Sequence, residues 1–256
     1  MKFLIGIPTY KRMKIVEIQM LYNSNILIPY IKAKGVQVDL LVVGSDDEDK
    51  QLFEDYHNLV YVHMPNILSN KFNYLVNYAK DQEYDYLMTL GSDDLMPTSL
   101  FDDVFELVKE NGYIASPSQM WMCDTNTSII YKWRGYGNGS TPLKKYGLGS
   151  GRIYSKKTLD NLSRTPFGEN MMNSMETTIA KELDVIDMGS IELNVFVDAE
   201  SYLFCLKSDE NIWKISSYTN TSSIVFDFTK KYFDWIPNDV KEKILKLNNM
   251  GFKNVD

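Results

Sequence analysis

The chain has 256 residues, enough for one large α/β domain with an ample core. Its 44% hydrophobic and 13% aromatic content belongs to a globular protein, and a net charge of −7 argues against a broad polyanion-binding surface, because such affinity rests on neutralised phosphates. No stretch reaches the roughly 20 apolar residues of a membrane span, and Cys123 and Cys205 lie far apart without metal-ligand spacing, so the expectation is a cytoplasmic, reduced protein with no integral membrane segment.

Lys2 to Ile7 reads as a first strand rather than a leader, since Pro8, Lys11 and Arg12 follow at once. A helical pattern starts near Met13, breaks near Pro29 and closes at Gly35. A strand over 38–43 leads to a helix over 49–58 and a strand over 59–63. Ser69 is placed to cap a helix whose Phe72, Leu75, Val76 and Ala79 fall at i, i+3, i+4 and i+7, and a strand over 84–90 follows. After Pro97, Thr98 or Ser99 caps a helix carrying Leu100, Val104, Leu107 and Val108, with Gly112 as its stop. This alternation predicts a parallel sheet with helices on its faces.

Beyond residue 112 the pattern changes. Residues 113–123 and 128–133 read as a hairpin around Asp124-Thr125-Asn126-Thr127, and Gly135-Tyr136-Gly137-Asn138-Gly139-Ser140 as a loop able to close over a ligand. A strand at 151–154, a helix over about 169–183, further short strands and an amphipathic helix from Pro237 to Asn248 complete the chain.

The densest chemistry lies in Tyr86-Leu87-Met88-Thr89-Leu90-Gly91-Ser92-Asp93-Asp94, an apolar strand ending in two carboxylates. Ligand sites of open α/β sheets lie at the carboxyl ends of parallel strands, and paired carboxylates suit a hard divalent cation. Gly-Ser-Asp-Asp recurs at 44–47 after a second apolar strand, so two strands are expected to bring carboxylates to one sheet edge. A lone Asp after a strand more often caps a turn; two in succession favour the ligand reading.

Ile5-Gly6-Ile7-Pro8-Thr9-Tyr10-Lys11-Arg12, Lys71-Phe72-Asn73 and Asp85-Tyr86-Leu87-Met88-Thr89-Leu90-Gly91-Ser92-Asp93-Asp94 together resemble the nucleotide-sugar domain of family 2 glycosyltransferases. The resemblance covers about residues 1–115 and, more loosely, 145–185. It implies the GT-A fold, a Rossmann-like, mostly parallel sheet flanked by helices. Residues 1–115 then form the nucleotide-sugar half of one domain, and 116–256 a smaller α+β acceptor half with a C-terminal helix. It also implies a nucleoside-diphosphate sugar donor, with UDP the first choice, and a divalent metal, Mn2+ or Mg2+. The family's Asp-x-Asp-Asp is Gly91-Ser92-Asp93-Asp94 here, so Asp93 inherits the metal contact, with Asp94 second. The family's Asp-Asp-Gly-Ser is Gly44-Ser45-Asp46-Asp47, leaving open which of Ser45, Asp46 or Asp47 meets the base.

The donor-side candidates are Pro8, Thr9, Tyr10, Arg12, Ser45, Asp46, Lys71, Asn73, Ser92, Asp93 and Asp94. A ring at Tyr10 can stack on a base and a cation at Lys11 or Arg12 can approach phosphate, while Lys71 and Asn73 stand near a helix start that favours anions. Glu176 is the candidate base for an inverting transfer, on a stripe with Met172, Ile179 and Leu183; Glu169 and Asp187 compete with it, and a Glu paired with a nearby cation is the bland alternative. Gly149-Ser150-Gly151-Arg152 is a weak acceptor-border signal. Trp121, Trp133 and Trp213 are either a sugar platform or core, and His57 and His63 carry no assigned role.

The acceptor is a hydroxyl of a glycan or lipid-linked sugar, or of a hydroxymethylated DNA base. The DNA version requires phosphate contacts from Lys144, Lys145, Arg152, Lys156 and Lys157. A non-catalytic nucleotide-sugar-binding module is the rival of another class. A nucleotidyltransferase is disfavoured, because no glycine follows the first strand to form a phosphate loop.

Overall fold

The computed structural model describes residues 1–53, 56, 59–127, 129–136, 145–186, 196–197, 202–208, 221–225 and 233–249. In chain order its strands are β1 (Lys2–Pro8), β2 (Gln37–Gly44), β3 (Leu59–His63), β4 (Tyr86–Thr89), β5 (Asp94–Leu95) and β6 (Ile114–Pro117). These are followed by β7 (Met120–Asp124), β8 (Ile130–Trp133), β9 (Arg152–Ser155), β10 (Phe196–Val197), β11 (Leu203–Lys207) and β12 (Thr221–Val225). The helices are α1 (Met13–Tyr22), α2 (Ile28–Ala33), α3 (Asp47–Phe53), α4 (Leu68–Asp81), α5 (Thr98–Asn111), α6 (Lys156–Asn161), α7 (Met175–Val185) and α8 (Asn238–Asn249).

One sheet runs β10-β6-β9-β4-β1-β2-β3, and a second runs β12-β8-β7-β11-β5. β4, β1, β2 and β3 are mutually parallel, and β9 inserts antiparallel between β4 and β6. The alternation in β1 explains the layering. Phe3, Ile5 and Ile7 share one buried cluster with α1, α2 and α5, while Leu4 on the opposite face joins a second with α4, α6 and α7. Both faces of the sheet are covered, as a parallel sheet requires. No helix among the described residues is long and apolar enough to cross a membrane.

Several expected boundaries move for local reasons. The helix does not break at Pro29: Asn23–Leu27 is π-helical, and this wider turn accommodates a proline in the first turn of α2. Ser69 does not cap α4, which starts one residue earlier after Ile67. Its hydroxyl instead accepts the Met171 amide at 2.9 Å. Neither Thr98 nor Ser99 caps α5, because Pro97, fixed in φ, takes that position; Gly112 ends the helix as expected. The helix expected over 49–58 runs Asp47–Phe53, and the one expected over 169–183 runs Met175–Val185, with Asn170 and Ser174 in left-handed backbone ahead of it. The expected hairpin forms as β7 and β8 around Asp124–Thr127, but Ile114–Pro117 goes to the larger sheet. Of the expected closing loop, residues 137–140 lie outside the described residues.

α4 approaches β1 closely over Gly6. A Cβ there would lie 2.9 Å from Leu75 Cδ2, so the absent side chain sets the depth of the helix that carries Lys71. Gly6→Val is expected to push α4 outward and to destabilise the protein by about 1–3 kcal/mol, the usual range for overpacking, as read from urea unfolding.

Candidate functional site

β1 lies between β2 and β4 with all three parallel, so the loops after them share one sheet edge. The two Gly-Ser-Asp-Asp segments therefore stand on either side of the Thr9–Arg12 loop. After β4 the chain turns through Gly91–Asp94, closed by the Asp94 amide on the Gly91 carbonyl at 3.1 Å, and passes directly into β5 of the second sheet. The carboxylate turn is thus the junction of the two sheets.

Asp93 is buried and surrounded by partners. Arg12 Nη1 is 3.3 Å from its Oδ2, Lys207 Nζ 3.6 Å, and the Cys205 thiol donates to the same oxygen at 3.4 Å. Arg12 Nη2 also donates to Ser92 Oγ at 2.9 Å. Its aim depends on unusual backbone: Lys11 (φ 55°) and Arg12 (φ 65°) are both left-handed, a cost of order 1–3 kcal/mol each that neighbouring bonds must offset. One such bond is the Lys11 amide on Asp46 Oδ2 at 2.8 Å. Gln19 of α1 donates to the carbonyls of Gly91 and Asp94, fixing the turn from beneath.

Asp94 is more deeply enclosed. Burial first, and the Asp93 charge second, push its pKa from 3.8 up to about 6. Burial and the same two carboxylates raise the Cys205 thiol well above its ordinary value. Asp93, Asp94 and Cys205 each offer a ligand atom within 4.8 Å of the others, and Asp94 Oδ1 is buried with no hydrogen-bond partner among the described residues. An orphaned carboxylate oxygen beside two further donors fits a cation. Among the described residues Thr9 Oγ1 and Ser45 Oγ are likewise buried without partners at this edge, so three strand ends carry unsatisfied polar atoms.

Glu176, in the first turn of α7, is held over the same strand end. Arg152, 1% exposed, lies 2.9 Å from its carboxylate and also donates to the carbonyls of Tyr146 and Gly147. Burial opposes the Arg152 charge, but Glu176 and Tyr154 outweigh it and raise its pKa. The Gly149 carbonyl accepts from Thr89 Oγ1 at 2.8 Å, and Ser150 Oγ accepts the Gly91 amide at 2.8 Å. A Cβ on Gly149 would lie 2.0 Å from Glu176 Oε1. One loop therefore separates Glu176 from the carboxylate turn. Ile179 and Leu183 are buried as the stripe requires, whereas Met172 precedes the helix and is 40% exposed.

The other sequence candidates divide. Tyr10 is 37% exposed at the edge, and the buried Lys71 donates to the Thr9 carbonyl at 2.5 Å and to Asn66, so Lys71 anchors the loop after β1. Pro8 is the last residue of β1, and Thr9 continues it by donating to the Val43 carbonyl at 2.9 Å. Asn73 points elsewhere, bridging Gly168 and Phe167. Glu169 lines a separate shallow cleft with Asn70 and Arg164, and Asp187 lies outside the described residues. Trp121 and Trp133 pack edge-on against Tyr202 and Tyr136 within the core; Trp213 and His57 lie outside the described residues. The basic strip does not form: Arg152 is buried on Glu176, Lys145 pairs with Asp184, Lys156 with Asp160, and Lys157 donates to Tyr113, while Lys144 lies outside the described residues.

Sequence reasoning missed Lys207 and Cys205. Both face one side of β11, two residues apart, and the sole signal was a lysine ending an apolar run. A cleft of about 540 Å3 opens beside Arg12, lined among others by Lys11, Lys14, Asp46, Thr125, Asn126 and Ser208.

As a sequence, the chain matches no protein-family model and no curated protein. Among solved structures it is similar to Staphylococcus aureus TarS 1–349 in complex with UDP, at 16% identity and a TM-score of 0.52, covering 81% of this chain and 61% of that one. The complex of the same fragment with UDP-GlcNAc gives 16% identity and a TM-score of 0.51, with 81% and 59% covered. The chain thus spans about three-fifths of the length of the TarS fragment. What the likeness shows is the fold: a mixed α/β, GT-A arrangement, as the sequence resemblance implied.

The burial of Asp94 has a measurable cost. The folded state holds its proton more tightly than the unfolded chain, so protonation adds stability that is full below about pH 4 and is lost as pH rises through about 6. Asp94→Asn is expected to stabilise the chelator-treated protein by an amount of order 2 kcal/mol at pH 8, with the gain gone near pH 4. Urea unfolding across that range measures it; a gain that does not change with pH would contradict the assignment.

Proposed function

We propose that the protein is a glycosyltransferase that moves a sugar from a nucleoside diphosphate, with UDP as the nucleotide, to a hydroxyl acceptor with inversion. The observation that carries this reading is the buried carboxylate turn at the parallel sheet edge, with Arg12 and Lys207 on Asp93 and Glu176 one loop away. UDP is favoured because TarS, which shares the fold, was solved with UDP and UDP-GlcNAc.

Each group then has a chemical task. Charge grows on the diphosphate as the glycosidic bond breaks, and Arg12 and Lys207 supply positive charge at that place in a poorly solvated setting. Asp93 and Asp94 would hold the divalent ion, Mn2+ or Mg2+, which supplies Lewis-acid stabilisation of the leaving group. Tyr10, Ser45 and Asp46, on the loops after β1 and β2, would meet the base. Glu176 takes the proton of the acceptor hydroxyl, and Arg152 holds its carboxylate in one orientation. A glycan hydroxyl suits this arrangement better than DNA, because the lysines proposed to grip phosphates are engaged with carboxylates and a tyrosine.

Calorimetric titration with UDP and UDP-sugars, with and without Mn2+, tests the donor site. Metal-dependent binding is expected, weakened about tenfold or more in Asp93→Ala, the scale of losing interactions with charged groups. Glu176→Gln is expected to keep donor binding but to lower donor turnover by about 100-fold or more. Binding without hydrolysis or transfer by the wild type would favour the non-catalytic module, and no nucleotide binding at all would remove the donor reading.

A further inference from the structure

We propose that Cys205 is a third ligand of the cation site and that its sulfur biases the site toward thiophilic and borderline ions, Cd2+ and Zn2+, over the hard ions Mg2+ and Mn2+. This deepens the reading above and rests on it for the site's purpose, although metal binding is testable without any nucleotide. The placement of the sulfur is set by backbone. β5 and β11 are antiparallel, with Cys205 directly opposite Asp94 and the Leu206 amide donating to the Asp93 carbonyl at 2.7 Å. Opposed residues in such a pair present their side chains on the same face about 5 Å apart, so the two-residue strand β5 delivers Asp94 to Cys205 wherever the rest of the loop moves.

The chemistry of the set follows. Asp93, Asp94 and Cys205 are all buried, with one donor atom from each within 4.8 Å of the others. The Asp94 Oδ1 atom, buried and without a hydrogen-bond partner among the described residues, is an independent sign that the group is built to take a ligand. Two carboxylate oxygens alone suit Mg2+ and Mn2+ alike, whereas a thiolate adds little for Mg2+ and much for softer ions. The thiol proton leaves to solvent as the cation takes its place. Cys123, the other buried cysteine, lies on β7, opposite Leu206, and is not part of the three-residue group, which makes it the natural control.

Cd2+ is titrated into the full chain while ultraviolet absorption is followed, using the wild type, Cys205→Ser and Cys123→Ser. A thiolate-to-cadmium charge-transfer band is expected in the wild type and in Cys123→Ser and absent from Cys205→Ser. Zn2+ affinity should fall about tenfold in Cys205→Ser with Mg2+ affinity nearly unchanged. Should Cys205→Ser fail to fold, competition in the wild type decides: excess Mg2+ leaves the band intact and Zn2+ removes it. A band that survives in Cys205→Ser, no band in the wild type, or Mg2+ displacing Cd2+ at equal concentration would overturn the assignment. None of these depends on nucleotide binding, whose failure would instead remove the donor reading.

Discussion

A carboxylate at the end of an apolar strand costs several kcal/mol to bury unless cations come with it, and Asp93 has two, Arg12 at 3.3 Å and Lys207 at 3.6 Å. Each makes its own demand on the fold. Arg12 reaches Asp93 only because two consecutive residues take up left-handed backbone after β1, and that loop is tied down by the Asp46 carboxylate, the Lys71 ammonium on the Thr9 carbonyl and the first turn of α1. Lys207 reaches it only because β11 pairs with β5. The two sheets are therefore joined through one charge cluster as well as through their shared core.

The same cluster explains which features were legible in the sequence. Apolar alternation in β1, β2 and β4 marked the parallel sheet, and its order brought Gly44–Asp47 and Gly91–Asp94 to one edge as expected. Helix starts were less visible, because capping by Ser69, Thr98 or Ser99 is a local preference and tertiary contacts won: Ser69 serves the Met171 loop, and Pro97 occupies the cap of α5. Lys207 and Cys205 left almost no trace in the sequence beyond a lysine ending an apolar run. Their role comes from a contact between residues more than a hundred positions apart, through a strand of two residues that no periodicity can reveal. Glu176 was found from its place on an apolar stripe with Ile179 and Leu183, yet its partner Arg152 was read as a border cation, since nothing in the local pattern reports a buried ion pair.

Stability and the proposed function pull against each other at this edge. A protein selected for folding alone would not leave Thr9 Oγ1, Ser45 Oγ and Asp94 Oδ1 buried without partners among the described residues, nor set two carboxylates and a thiol within 4.8 Å of one another. The Gly149 contact shows the same tension: a side chain there would stabilise the loop by restricting the unfolded chain, but it would occupy the space of the Glu176 carboxylate.

Charge balance gives this tension a direction. With Asp94 ionised, the carboxylates of Asp93 and Asp94 are matched by Arg12 and Lys207, so the edge is close to neutral. On the proposed reading a divalent cation alone would leave it positive, and a diphosphate alone would set phosphate oxygens against Asp93 and Asp94 in a poorly solvated place. A bound cation therefore favours the diphosphate, and a bound diphosphate the cation. Thermodynamic reciprocity then requires each to raise the affinity of the other by the same factor, so the cations that balance the buried carboxylates also make this edge a site for a metal-nucleotide pair rather than for either partner alone.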